Sequence, residues 1–142
     1  MIKYIFSSLF AAFFFLNMYA SGDLDRVDIY LNGRLISTWT VSGSQEIHLD
    51  TLHGTDTLWF YAWTNFDEGL RNATLDIRDN SGILISHINS SLSTNFEAHF
   101  MFILKPEKLD LSTTKILQAV ITLAPEQDVQ TIPIANISMP DR

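Results

Sequence analysis

Residues 26–41 read Arg26-Val-Asp-Ile-Tyr-Leu-Asn-Gly-Arg-Leu-Ile-Ser-Thr-Trp-Thr-Val41, and this stretch decides the fold. Val27, Ile29 and Leu31 alternate with Asp28 and Tyr30, the two-residue period that turns one side of an extended chain toward a core. Asn32-Gly33 then interrupts the run. Both residues tolerate positive φ, which a type I′ turn demands at its two central positions, so the spacing predicts a β-hairpin over 26–41. Beyond the turn Ile36, Thr38, Trp39 and Val41 continue extended, and the polar break Ser42-Gly43-Ser44 ends the pair.

Toward the C-terminus the same grammar repeats. Ile47 and Leu49 alternate with Glu46, His48 and Asp50. After His53-Gly54, the run Leu58-Trp59-Phe60-Tyr61-Ala62-Trp63 is apolar on both faces, as expected of a strand at the centre of a sheet. A second hairpin is predicted from Ala73–Arg78 and Ile83–Ile88, joined by Asp79-Asn80-Ser81-Gly82, a sequence suited to a type I turn closed by a left-handed glycine. Phe96, Ala98, Phe100, Phe102 and Leu104 give the cleanest alternation in the chain before Lys105-Pro106 stops it. Residues 107–115 carry no strand period and are the one place for a short helical turn. Strands are expected again at Ile116–Leu123 and Thr131–Ile137. Pro133 cannot donate to a ladder, which puts the last strand at a sheet edge.

About eight short strands with frequent turn signals and no long helix predict an all-β, two-sheet antiparallel β-sandwich, jelly-roll or immunoglobulin-like, with a closed β-barrel as the alternative.

Upstream of the hairpin, Lys3 precedes an apolar run from Ile5 to Leu16 and then small residues, the anatomy of a secretory signal peptide. Ala20-Ser21-Gly22 places small residues at the first and third positions before a cut after Gly22; a cut after Ala20 is the other reading. The apolar run is shorter than the roughly 20 residues that span a bilayer. The expected organisation is a leader over 1–22 and one domain over 23–142, exported and without stable membrane insertion once the leader is gone. The 142-residue chain carries 9 basic and 16 acidic residues, and the leader contains only Lys3. Such a balance disfavours a grip on nucleic acid, which needs clustered Lys and Arg. Cysteine is absent, which removes disulfides, thiol catalysis and thiolate metal sites. Small exported eukaryotic domains commonly use disulfides, so the chain reads as a bacterial periplasmic or secreted protein.

Candidate chemistry is sparse. Glu46, His48 and Asp50 share one side of a strand, with His53 and Asp56 close behind, a residue set competent for zinc or proton transfer. Successive same-face residues lie roughly 6.6 Å apart, however, and the polar side of an amphipathic strand needs such residues anyway. The carboxylates of Asp23, Asp25, Asp28, Asp67, Glu68, Asp76 and Asp79 leave room for a structural calcium, although no EF-hand loop is present. No G-x-S-x-G elbow occurs. No catalytic residue, resident metal or required cofactor is therefore assigned.

The aromatic strand is the strongest functional lead. Trp59, Tyr61 and Trp63 share one side and Leu58, Phe60 and Ala62 the other. With the Leu58 side inward, the rings form a platform of the kind that stacks on sugars, and Asn65, Asp67 and Glu68 in the following loop are placed to bond hydroxyl groups. The opposing expectation is that both Trp are buried. The expected function is a non-enzymatic exported binding module with a glycan or an envelope protein as partner. A structural or assembly component of the bacterial cell envelope, acting through an open sheet edge, is the alternative.

Overall fold

Asn32 and Gly33 adopt φ of 51° and 82° in a computed structural model of the chain, and the type I′ turn forms where the sequence requires it. Residues 24–41, 43–64, 72–94, 96–110, 112–123 and 130–140 are described. The leader reading over 1–22 and the loop residues Asn65, Asp67 and Glu68 lie outside the described residues.

The strands are β1 (Arg26–Leu31), β2 (Arg34–Thr40), β3 (Gln45–His48), β4 (Thr57–Trp63), β5 (Ala73–Arg78), β6 (Leu84–Asn89), β7 (Leu92–Ser93), β8 (Glu97–Ile103), β9 (Ile116–Leu123) and β10 (Gln130–Ser138). They build two sheets, in the orders β2-β1-β4-β8-β7 and β3-β10-β9-β5-β6. The sheets stay separate, so the fold is an all-β sandwich and not the closed barrel held as the alternative. Every pairing is antiparallel except that of β3 with β10, which run parallel. Among the described residues no helix is long and apolar enough to cross a membrane.

The alternating residues meet between the sheets. Leu58, Phe60 and Ala62 of β4 and Ala98 and Phe100 of β8 are fully buried opposite Leu75, Ile77, Leu117, Ala119 and Ile121 of the second sheet. Aliphatic and aromatic side chains thus fill the interior without cross-links. The β5–β6 turn also forms as predicted. Gly82 has φ 83°, and the Asp79 carboxylate accepts hydrogen bonds from the N–H groups of Ser81 and Ile83 at 2.8 and 2.9 Å. The expected helical turn is a single 3-10 turn at Pro106–Lys108.

Two details depart from expectation. β10 is not an edge strand, because β3 covers it on one side and β9 on the other. Pro133 is accommodated because β3 pairs only with Ala135–Ser138, and the β9 register shifts between Pro133 and Ala135. Its missing N–H falls beyond the reach of β3 and at a bulge, where a ladder bond is not required. Phe96, at the head of the best alternation, is 47% exposed, because it precedes the start of β8 and lies past the rim of the core.

Candidate functional site

β4 occupies the middle of its sheet, so each of its outward residues has a neighbour on both sides. The registers set three rows across the outer surface. Tyr30, Trp59 and Met101 form the first, Asp28, Tyr61 and His99 the second, and Arg26, Trp63 and Glu97 the third. β2 extends the rows with Leu35, Thr38 and Thr40 opposite Tyr30, Asp28 and Arg26.

Trp59, Tyr61 and Trp63 therefore share the outer face as expected, and each is half-buried. Leu58, Phe60 and Ala62 take the core, so neither Trp59 nor Trp63 belongs to it. The Trp that does is Trp39, at 4% exposed.

The rings interlock and do not lie flat in a row. Tyr61 meets Trp59 edge-on at 6.0 Å and 70°, and Trp63 edge-on at 6.0 Å and 81°. These are the arrangements that the ring quadrupole favours. Tyr30 leans on Tyr61 at 5.0 Å and 45°. On the other side His99 stacks on Tyr61 at 4.0 Å and 18°.

The closeness of that stack has a backbone cause. The N–H of His99 donates to Ser90 Oγ and its carbonyl accepts from the N–H of Ser91. His99 thus turns both main-chain groups away from β4, which makes Tyr61 and His99 a non-hydrogen-bonded pair, the closer of the two antiparallel kinds.

Charge surrounds the rings in compensated pairs. The Arg26 guanidinium lies 4.5 Å from the centre of the Trp63 ring, a cation–π contact, and its Nε is 3.5 Å from Asp28 Oδ1. Asp28 also accepts from Thr38 Oγ1 at 2.9 Å. Glu97 Oε1 holds His99 Nε2 at 2.5 Å. The site thus offers apolar ring surface beside hydrogen-bonding groups held at fixed positions. Sequence reading named the three β4 rings but missed Tyr30, Arg26, Glu97 and His99 as their neighbours. The signal that finds them is strand register, which the Asn32-Gly33 turn supplies for β1 against β2 but not for either strand against β4.

The polar constellation around His48 does not assemble. Glu46, His48 and Asp50 are all exposed, and Glu46 Oε1 accepts from Asn136 Nδ2 at 2.9 Å. Asp56 is 9% exposed and serves the chain itself. Its Oδ1 accepts from Asn32 Nδ2 and its Oδ2 from the N–H of His53, both at 2.8 Å. Those bonds, with the Asn32 bond largest, lower the Asp56 pKa below the ordinary aspartate value against an opposing push from burial. Among the described residues no group of three His, Asp or Glu side chains is arranged to hold a metal ion. Of the calcium candidates, Asp28 is paired with Arg26, Asp76 lies 2.5 Å from His87 Nδ1, and Asp79 caps its own turn.

Compared with known protein families, curated proteins and solved structures, the chain matches none.

Proposed function

We propose that the protein is an exported, non-enzymatic binding module that holds carbohydrate on the outer aromatic face of β4. The observation that carries this reading is the position of Trp59, Tyr61 and Trp63 outside a core that Leu58, Phe60 and Ala62 already complete. Four neighbouring rings left partly exposed, counting Tyr30, form a contiguous ring surface on the outside of the sandwich, of the kind that marks a contact site. Their chemistry suits a sugar, whose C–H faces pack on rings while its hydroxyls bond to groups beside them. Arg26 is a donor and Asp28 and Glu97 are acceptors at the margin of the rings, and Asn65, Asp67 and Glu68 follow Trp63 closely in the sequence. Both marginal carboxylates already have partners, which favours an uncharged saccharide over a cationic ligand. Export rests on the leader-like residues 1–22 and places the module in a bacterial periplasm or outside the cell.

The test is retention of residues 23–142 on a panel of neutral polysaccharides, by affinity electrophoresis or glycan array, beside Trp59→Ala and Trp63→Ala variants. Retention by at least one glycan, weakened about tenfold or more by either substitution while the melting temperature holds, supports the reading. Failure of the whole panel, or binding indifferent to both tryptophans, sinks it.

A further inference from the structure

A second feature lies on the flank of the sandwich, beyond β8 on the side away from β4, and Met101, which ends the Trp59 row, borders it. β8 pairs with β4 along its whole length, but on its other side β7 reaches only Ala98 and His99. Main-chain groups of an antiparallel strand point alternately to the two sides. His99 points to the β7 side, so Met101 and Ile103 do too. Leu104 confirms the phase, since its N–H turns the opposite way and donates to the Asp56 carbonyl at 2.7 Å. No described residue continues β7 past Met101 and Ile103, which leaves their N–H and C=O groups as an open edge. β6, the outermost strand of the other sheet, borders the same gap.

Between the two edges runs a groove of about 480 Å³, lined by Ile85, Ile88, Phe102 and Leu109 and by Lys105 and Lys108. Met101 and Ile103, both of which border it, are 42% and 38% exposed. An unprotected apolar edge of this kind is a template for strand addition. Neither lysine makes an ion pair among the described residues, in a chain of net charge −7.

We infer that this groove is a docking site for an extended peptide segment of a partner protein, one that alternates apolar with acidic residues. The segment takes the place where β7 stops and pairs with the main chain of Met101 and Ile103. Its apolar residues enter the groove toward Phe102, Ile85 and Leu109, and its carboxylates meet Lys105 and Lys108. This is recognition by strand addition, in which main-chain bonds supply affinity and alternate side chains supply specificity. The charge of the chain opposes a second copy as the occupant. The site does not depend on the carbohydrate reading.

The probe is a capped ten-residue peptide of alternating Val and Glu, with a Val/Lys peptide and a Val/Glu peptide N-methylated on one edge as controls. Binding is followed by amide hydrogen exchange and sedimentation of the whole domain. The inference expects the Val/Glu peptide to slow exchange at Met101 and Ile103 by about tenfold or more, with both controls inert. The double variant Lys105→Glu, Lys108→Glu should weaken binding about tenfold, whereas Trp63→Ala leaves it unchanged. Ile103→Pro, which removes a donor pointing away from β4, should abolish it. Absence of protection at saturating peptide, equal binding of the N-methylated control, or a dimer closed over this flank would each overturn the inference, and the peptide controls decide even if Ile103→Pro does not fold.

Discussion

Tyr61 and His99 lie face to face across β4 and β8, 4.0 Å apart and 18° from parallel. Their neighbours Phe60 and Phe100 pair in the same two strands on the inner side. The central strands are therefore held together on both faces. Ring pairs contribute about 0.5–1.5 kcal/mol beyond the area they bury. A double-mutant cycle of Tyr61→Leu and His99→Ala, read by urea denaturation, should return a coupling of about that size. Additive single effects would mean that the stack stabilises nothing.

The two faces of β4 should respond differently to truncation. Phe60 is fully buried, and Phe60→Ala should cost about 3–5 kcal/mol through lost burial and the cavity left behind. Trp59 is larger but stands outside the core and is partly exposed. Trp59→Ala should therefore cost less than Phe60→Ala despite removing more atoms. Chemical denaturation of the two variants checks the order, and a reversal would mean that the Trp face is the buried one.

Fluorescence should divide the three tryptophans two against one. Trp39 is buried and its indole N–H has no hydrogen-bond partner among the described residues, whereas Trp59 and Trp63 are partly exposed. In Trp59→Phe, Trp63→Phe the remaining emission should be blue-shifted and resist acrylamide, while in Trp39→Phe it should be red-shifted and readily quenched. The same signal at Trp59 and Trp63 then reports added glycans.

The elements legible in the sequence are those whose determinants are local. Asn32-Gly33 and Asp79–Gly82 specify their turns through backbone conformations that few residues adopt, and the alternations in β4 and β8 specify which side chains face inward. The doubly apolar run of β4 predicts a central strand, and β4 does lie in the middle of its sheet, although only its Leu58 side faces the core. The parallel pairing of β3 with β10 was not legible, since it joins segments about ninety residues apart through ladder bonds that leave no pattern in either. Pro133 misled for a related reason. The rule that proline seeks an edge holds for the hydrogen bond and not for the strand, and a four-residue neighbour leaves half of β10 locally edge-like. At the candidate site, period alone put Trp59, Tyr61 and Trp63 on one face. Arg26, Tyr30 and His99 join them only through strand order, which is a property of the assembled sheet.

Asp56 ties acid sensitivity to the corner where the first hairpin meets β4. Its carboxylate accepts from Asn32 and from the His53 N–H, and Asn32 Oδ1 in turn accepts from the N–H of Thr57 at 2.9 Å. The Asn32 bond, then the His53 bond, hold its pKa below the ordinary aspartate value. A carboxyl whose folded pKa is lowered contributes stability that is fully present above its unfolded value, about 4, and is lost as pH falls through the folded value. Exposed Asp110 is shifted the same way by Ser112, so the wild-type curve alone does not isolate Asp56. The difference between wild type and Asp56→Ala does. At pH 6–8 the variant should be about 1–3 kcal/mol less stable, because two donors lose a charged acceptor. Below about pH 4 the gap should narrow as the wild-type carboxyl protonates. Thermal denaturation of both proteins across pH 2–8 measures this, and a gap independent of pH would show that the Asp56 charge has no part in closing the corner.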